Sequence, residues 1–255
     1  VSGTAEVGVT VTVEISDAQG NVVETQTPAV DGSGNWTFDA SALADGDYIV
    51  SATATDAAGN SATAGPNSFS VDTAAPVLTV TTPADGASTN DDTPTIQGTI
   101  DDPGATVTVV VLDDQGNAIE TLAPTVDANG DWSVDASQLA EGTYAIEVTA
   151  ADAAGNASNT VNNTFTIDLT DPIVSITGPA DGSTTSDDTP TITGMVSEPG
   201  AVVTVEISDS NGNVIETLTP TVAAGGGWSV DAAQLADGAY TVTATATDAA
   251  GNTSA

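Results

Sequence analysis

Tyr144–Pro172 reads YAIEVTAADAAGNASNTVNNTFTIDLTDP, and the fold follows from how this stretch is built. Tyr144, Ile146, Val148 and Ala150 alternate with polar or small residues, then Asp152-Ala-Ala-Gly-Asn156 breaks the run. A second alternating run closes on Phe165 and Ile167, and an Asp-rich link leads to Pro172. Apolar residues at period two mark strands with one buried face, and the Asp-Gly-Asn cluster between them marks a turn. The stretch thus predicts two neighbouring antiparallel strands and a link to another unit.

The pattern returns. Tyr48, Asp56, Gly59, Asn60, Phe69, Asp72 and Pro76 stand 96 residues earlier, and Tyr240, Asp248, Gly251 and Asn252 stand 96 residues later. Trp36, Trp132 and Trp228 keep the same interval. A period this long, with many short strands per copy, means tandem domains rather than a solenoid. We divide the chain into residues 1–75 (lacking a first strand A), 76–171 (complete) and 172–255 (lacking a last strand G). Val1 opens in mid-pattern with no signal-peptide layout, so the chain is expected to belong to a longer protein.

Within the middle copy, Leu78 and Val80 read as strand A, and Pro83 to Pro94 as a turn-rich stretch. Ile96, Gly98 and Ile100 read as strand B, and Val107, Val109 and Val111 as inward-facing strand C. The sequence then predicts strand D around Ile119, strand E at Trp132 and Val134, strand F from Tyr144, and strand G at Phe165 and Ile167. A short helical turn fits Ala136 to Leu139. Seven short strands with turn signals every 8–12 residues point to an all-β fold: tandem seven-stranded Ig-like antiparallel sandwiches arranged end to end. Alternation puts Trp132 on the face of Val134, so the tryptophans are read as core plugs rather than carbohydrate platforms. Leu139 to Tyr144 and its two equivalents resemble a tyrosine corner, whose hydroxyl ties back to nearby backbone.

Composition narrows the chemistry. The 255 residues contain no Lys, Arg, His or Cys, and 36 acidic groups give a formal charge of −36. That charge repels nucleic acid and anionic lipid, and no apolar run approaches the ~20 residues of a membrane span. Without imidazole, thiolate, amine or guanidinium, the usual catalytic groups are missing, so no enzyme activity is expected. Oxygen donors are plentiful, and calcium takes six to eight of them.

Strand direction brings the B–C, D–E and F–G turns to the pole where the preceding link arrives. At the first joint this gathers Asp72, Asp101, Asp102, Asp152 and Asn156. At the second it gathers Asp168, Asp171, Glu198, Asp248 and Asn252. Carboxylates crowded in this way repel unless a divalent cation sits between them, so both sets are candidate structural calcium sites. For a turn Asp taken singly, a plain turn role is the stronger reading, whereas for the link aspartates the metal reading leads, because a link needs no turn former at a fixed distance before proline. A lesser candidate lies at the opposite pole, around Asp91-Asp92 or Asp187-Asp188 near Asp113-Asp114 or Asp209. Sequons at Asn35, Asn156, Asn162 and Asn252 are read as chance matches.

Val71-Asp72-Thr73-Ala74-Ala75-Pro76, Asp92-Thr93-Pro94-Thr95-Ile96-Gln97-Gly98 and Thr55-Asp56-Ala57-Ala58-Gly59-Asn60 resemble signatures of bacterial Ig-like domains. Such domains occur in tandem in large repetitive surface adhesins of the RTX and biofilm-associated types. The resemblance implies a stalk segment of an extracellular or bacterial-surface adhesin, with neighbouring repeats of the same longer chain as its partners. Glycan-binding modules, or spacers of a secreted enzyme, are the alternatives. The short, proline-less B–C turn Ala5-Glu6-Val7-Gly8 departs from the pattern.

Overall fold

Two compact units make up the computed structural model, which describes residues 1–254. One unit comprises Val1–Val77 with Ala150–Ser158; the other comprises Leu78–Thr149 and the chain from Asn159 onward. Every regular element among the described residues is a strand.

In the first repeat, β1 (Ser2–Thr4) pairs with β4 (Asn35–Thr37). The facing sheet runs β3 (Val22–Gln26), β2 (Thr10–Asp17), β5 (Gly46–Thr55), β6 (Ser61–Val71). Its core is Val11, Val13 and Trp36, with Val9, Val30, Phe38 and Val50 packed against them.

The second repeat is the fullest. β7 (Leu78–Thr82), β9 (Thr95–Ile100) and β12 (Asp131–Asp135) form one sheet. β11 (Ala118–Leu122), β10 (Thr106–Leu112), β13 (Gly142–Ala151), β14 (Val161–Ile167) and β8 (Ala87–Thr89) form the other. The third repeat keeps this plan with β15 (Val174–Gly178), β16 (Thr191–Val196) and β19 (Gly227–Asp231) in one sheet. β18 (Val214–Leu218), β17 (Val202–Asp209) and β20 (Tyr240–Thr247) form the other.

The expected inward residues are inward. Ile96, Val107, Val109, Val111, Ile146, Val148 and Ile167 have no accessible surface, and Phe165 retains 1%. Each tryptophan lies over a strand-B glycine directly across the ladder: Trp36 over Gly3, Trp132 over Gly98, Trp228 over Gly194. Only a residue without Cβ leaves room for the indole. The buried indole N–H groups of Trp132 and Trp228 have no acceptor among the described residues. That costs about 1–3 kcal/mol each. Burying ~200 Å² of ring contributes about 5 kcal/mol, so the ring decides the position. The tyrosine corners form as expected: Tyr48, Tyr144 and Tyr240 each donate to the carbonyl four residues back, at 2.9 Å.

Three expectations need correction. The strand around Ile119 (β11) pairs with β10 rather than with β12, so it extends the C–F–G sheet as a C′ strand. The five-residue turn Asp113–Asn117 is short enough to keep the two strands as a hairpin. Pro83–Pro94 is not all turn, because Ala87–Thr89 runs parallel to Phe165–Ile167 and departs from a purely antiparallel sandwich. Ala136–Leu139 is not helical: it has no regular structure, and Ala136 N–H and Leu139 N–H donate to the Pro94 and Asp92 carbonyls at 3.1 and 2.7 Å. Ala136 and Leu139 are both buried, so tertiary contacts override local propensity there.

Candidate metal centre

The turn Asp248–Asn252 shows why these residues fold as they do. Asp248 Oδ1 accepts the N–H groups of Ala250, Gly251 and Asn252 at 2.7–2.9 Å, and Oδ2 accepts Asn252 Nδ2 at 2.8 Å. Gly251 sits at φ +98°, a conformation glycine adopts without a Cβ penalty. The same device recurs at Asp17, Asp56, Asp113, Asp152 and Asp209, each followed four residues later by an Asn that bonds back. Turn formation is therefore the common duty of this motif.

At the second joint the turn does more. Asn252 Nδ2 also donates to the Asp168 carbonyl at 2.8 Å, which draws the link onto the turn. Asn90 N–H donates to the Ala250 carbonyl at 3.1 Å, and Asp168 N–H donates to the Thr89 carbonyl at 3.0 Å. Glu198, on the loop between β16 and β17, approaches from a third side. One carboxylate oxygen from each of Asp168, Glu198 and Asp248 then lies within 4.8 Å of the other two.

Oxygens that share one calcium at ~2.4 Å can stand at most about 4.8 Å apart, so this spacing fits a single hard cation. The donor chemistry fits as well: three carboxylates, with no Lys, Arg or His anywhere in the chain to neutralise them. At an effective dielectric of ~20, each pair at this separation repels by about 3–4 kcal/mol. Burial, then the charges of Asp248 and Asp168, push the Glu198 carboxyl above its usual range. Asp248 retains 9% exposure. Its burial favours the neutral acid, but the Asn252 side chain and the turn N–H groups together outweigh it and hold the carboxyl below its usual range.

The remaining predicted residues divide. Asp171 is exposed on the link and lies outside this group of three. Asp72, Asp152 and Asn156 lie in the first compact unit and repeat part of the pattern: Asn156 Nδ2 donates to the Asp72 carbonyl at 3.0 Å and to Asp152 Oδ2 at 2.8 Å. Asp101 and Asp102 lie in the other unit, on the loop between β9 and β10, where Asp102 Oδ1 accepts Gly104 N–H at 2.8 Å. The lesser cluster is taken up locally. Asp91 caps Thr93, Asp92 and Asp188 accept Gln138 and Gln234, and Asp113 and Asp209 serve their own hairpins.

The profile of the bacterial Ig-like domain matches residues 1–73, 80–169 and 174–255. This chain belongs to the bacterial Ig-like domain family. No curated protein matches it. Among solved structures it is similar to a tetra-tandem repeat in the extending region of a large adhesion protein. There the identity is 31% over 99% of this chain and 67% of that one, with a TM-score of 0.33. The fibronectin(III)-like modules of Clostridium thermocellum CbhA share 20% identity over 65% and 83%, at TM-score 0.37. The BSP domain of a biofilm-associated protein shares 17% over 98% and 59%, at TM-score 0.25.

Asn90 of the second bacterial Ig-like repeat was not a predicted part of the joint. Its counterpart in the third repeat is Ser186, so no periodic signal marked it. The carbonyl of Asp168 was missed too, because backbone acceptors leave no trace in residue type.

Proposed function

We propose that this chain is a non-catalytic stalk segment of an extracellular bacterial surface adhesin, stiffened by calcium where consecutive Ig-like repeats meet. The observation that supports it is the convergence of Asp168 from the link, Glu198 and Asp248 within one ion's reach, in a chain without side-chain cations. The ion ties the link after β14 to two loops of the third repeat and removes hinge freedom. The distal domain that such a stalk would project makes the adhesive contact. Three carboxylates completed by water or carbonyl oxygens give modest affinity, on the order of 10⁻⁴–10⁻³ M, as in other extracellular calcium modules.

A glycan-binding reading needs an exposed aromatic platform. All three tryptophans are buried, and the large exposed apolar side chains are aliphatic or Met. Small-angle scattering in calcium and in chelator tests the stalk reading. Removing the ion is expected to broaden the distance distribution and change the maximum dimension; identical curves count against calcium stiffening.

A further inference from the structure

The C′ strand is present in full in all three repeats, and in each it is an open edge. β3, β11 and β18 are five residues long and pair on one side only, with β2, β10 and β17. Outside that pairing, Val22–Gln26, Ala118–Leu122 and Val214–Leu218 make no backbone–backbone hydrogen bond among the described residues. In the second repeat the opposite edge of the same sheet is closed by β8, so the fold covers one edge and leaves the other bare.

The surface of these strands is apolar or neutral. Val22, Val23, Ile119, Val214 and Ile215 are 47–52% exposed, and Ala118, Thr25, Thr121 and Thr217 are exposed beside them. The one charged residue of each strand is bound back within its own repeat: Glu24, Glu120 and Glu216 accept the N–H of Ser41, Ser137 and Ala233, each at 3.0 Å. Open edges are ordinarily guarded by Lys, Pro or an outward charge, and these strands carry none of the three. In a chain with 36 acidic residues, a bare edge without a free charge, set in the same place three times, is fitted for strand addition.

A second copy of this chain is the wrong partner. It brings a further formal charge of −36 and no side-chain cation. The glutamate is the central residue of each five, so antiparallel pairing of two such edges sets glutamate against glutamate. We infer that β3, β11 and β18 are docking edges for an extended, basic segment of another protein, added as one strand per repeat. Backbone groups of that segment continue the ladder, and its β-branched residues cover the exposed Val and Ile side chains. Its Lys or Arg residues meet Glu24, Glu120 and Glu216, and the aspartates that lead the preceding turns, Asp17, Asp113 and Asp209, none of which has a cationic partner in the chain.

The test is amide hydrogen exchange on the whole chain at about 150 mM salt, with a synthetic peptide of alternating valine and arginine as the probe. Excess peptide is expected to slow exchange of the edge-facing amides of β3, β11 and β18 about tenfold and to leave β9, β12, β16 and β19 unchanged. The same peptide N-methylated at alternate amides keeps its charge but cannot continue the ladder, and it is expected to give no protection. Ile119→Lys is expected to abolish protection in β11 alone, with β3 and β18 of the same molecule as internal controls. Absence of protection, protection spread evenly over the surface, or equal protection by the N-methylated peptide overturns the proposal. So does an Ile119→Lys chain that loses protection in all three strands or in none. Protection of these strands that rises with protein concentration in the absence of peptide identifies a second copy as the occupant and overturns it too.

Discussion

Asp248 Oδ1 accepts three backbone N–H groups while the same carboxylate lies within ion-sharing distance of Asp168 and Glu198. The turn bonds favour its anion and hold its pKa below the ordinary value of 3.8, so the stability it contributes is present above that value and is lost as pH falls through the lowered one. Glu198 works in the opposite sense. Its pKa lies above the ordinary 4.5, so in cation-free protein the stability it contributes is full below 4.5 and is lost as pH rises through the raised value. Glu198→Gln should therefore raise the melting temperature of the third repeat in chelator at pH 7, by about 2–5 °C, and leave it unchanged near pH 4. In saturating calcium the order should reverse, because Gln is a poorer ligand. Thermal unfolding at both pH values, with and without calcium, checks the sign of each difference.

At the scale of elements, the tryptophan and glycine pairs show what alternation in a sequence can and cannot reveal. Period two placed Trp132 and Val134 on one face, where Trp132 is buried and Val134 half-buried. Nothing in the period shows that the indole must lie across Gly98, because that pairing depends on register between β9 and β12. The C′ position of β11 and the short β8 escaped for the same reason: residue type marks a strand, whereas its neighbour is chosen by closure of the whole sheet. A Cβ at Gly98 would run into the Thr79 carbonyl and the Trp132 ring. Gly98→Ala should thus destabilise the second repeat by about 2–3 kcal/mol through overpacking. Trp132→Ala should cost about 3–5 kcal/mol through the cavity it leaves. Hydrogen exchange of β9 and β12 amides reads both, since a three-repeat chain need not unfold in one step. Exchange rates within twofold of wild type for Gly98→Ala would show that the strand shifts to accommodate the methyl group.

For the whole molecule, the governing quantity is a formal charge of −36 with no basic side chain. Self-repulsion of that size makes stability depend on the ions in solution. Monovalent salt should stabilise every repeat gradually by screening. Calcium at low millimolar concentration should add a saturable increment for the third repeat, where three carboxylates converge. The acidic joint was legible in the sequence because the link aspartates and the F–G turn share a fixed period. The part played by Glu198 was legible only from strand direction, and that of Asn90 only in the folded chain. The most direct measurement is a calorimetric calcium titration of the chain beside Glu198→Gln at about 150 mM salt. The account predicts a saturable binding step in the former that is weakened about tenfold or lost in the latter. Superimposable titrations of the two proteins would contradict it.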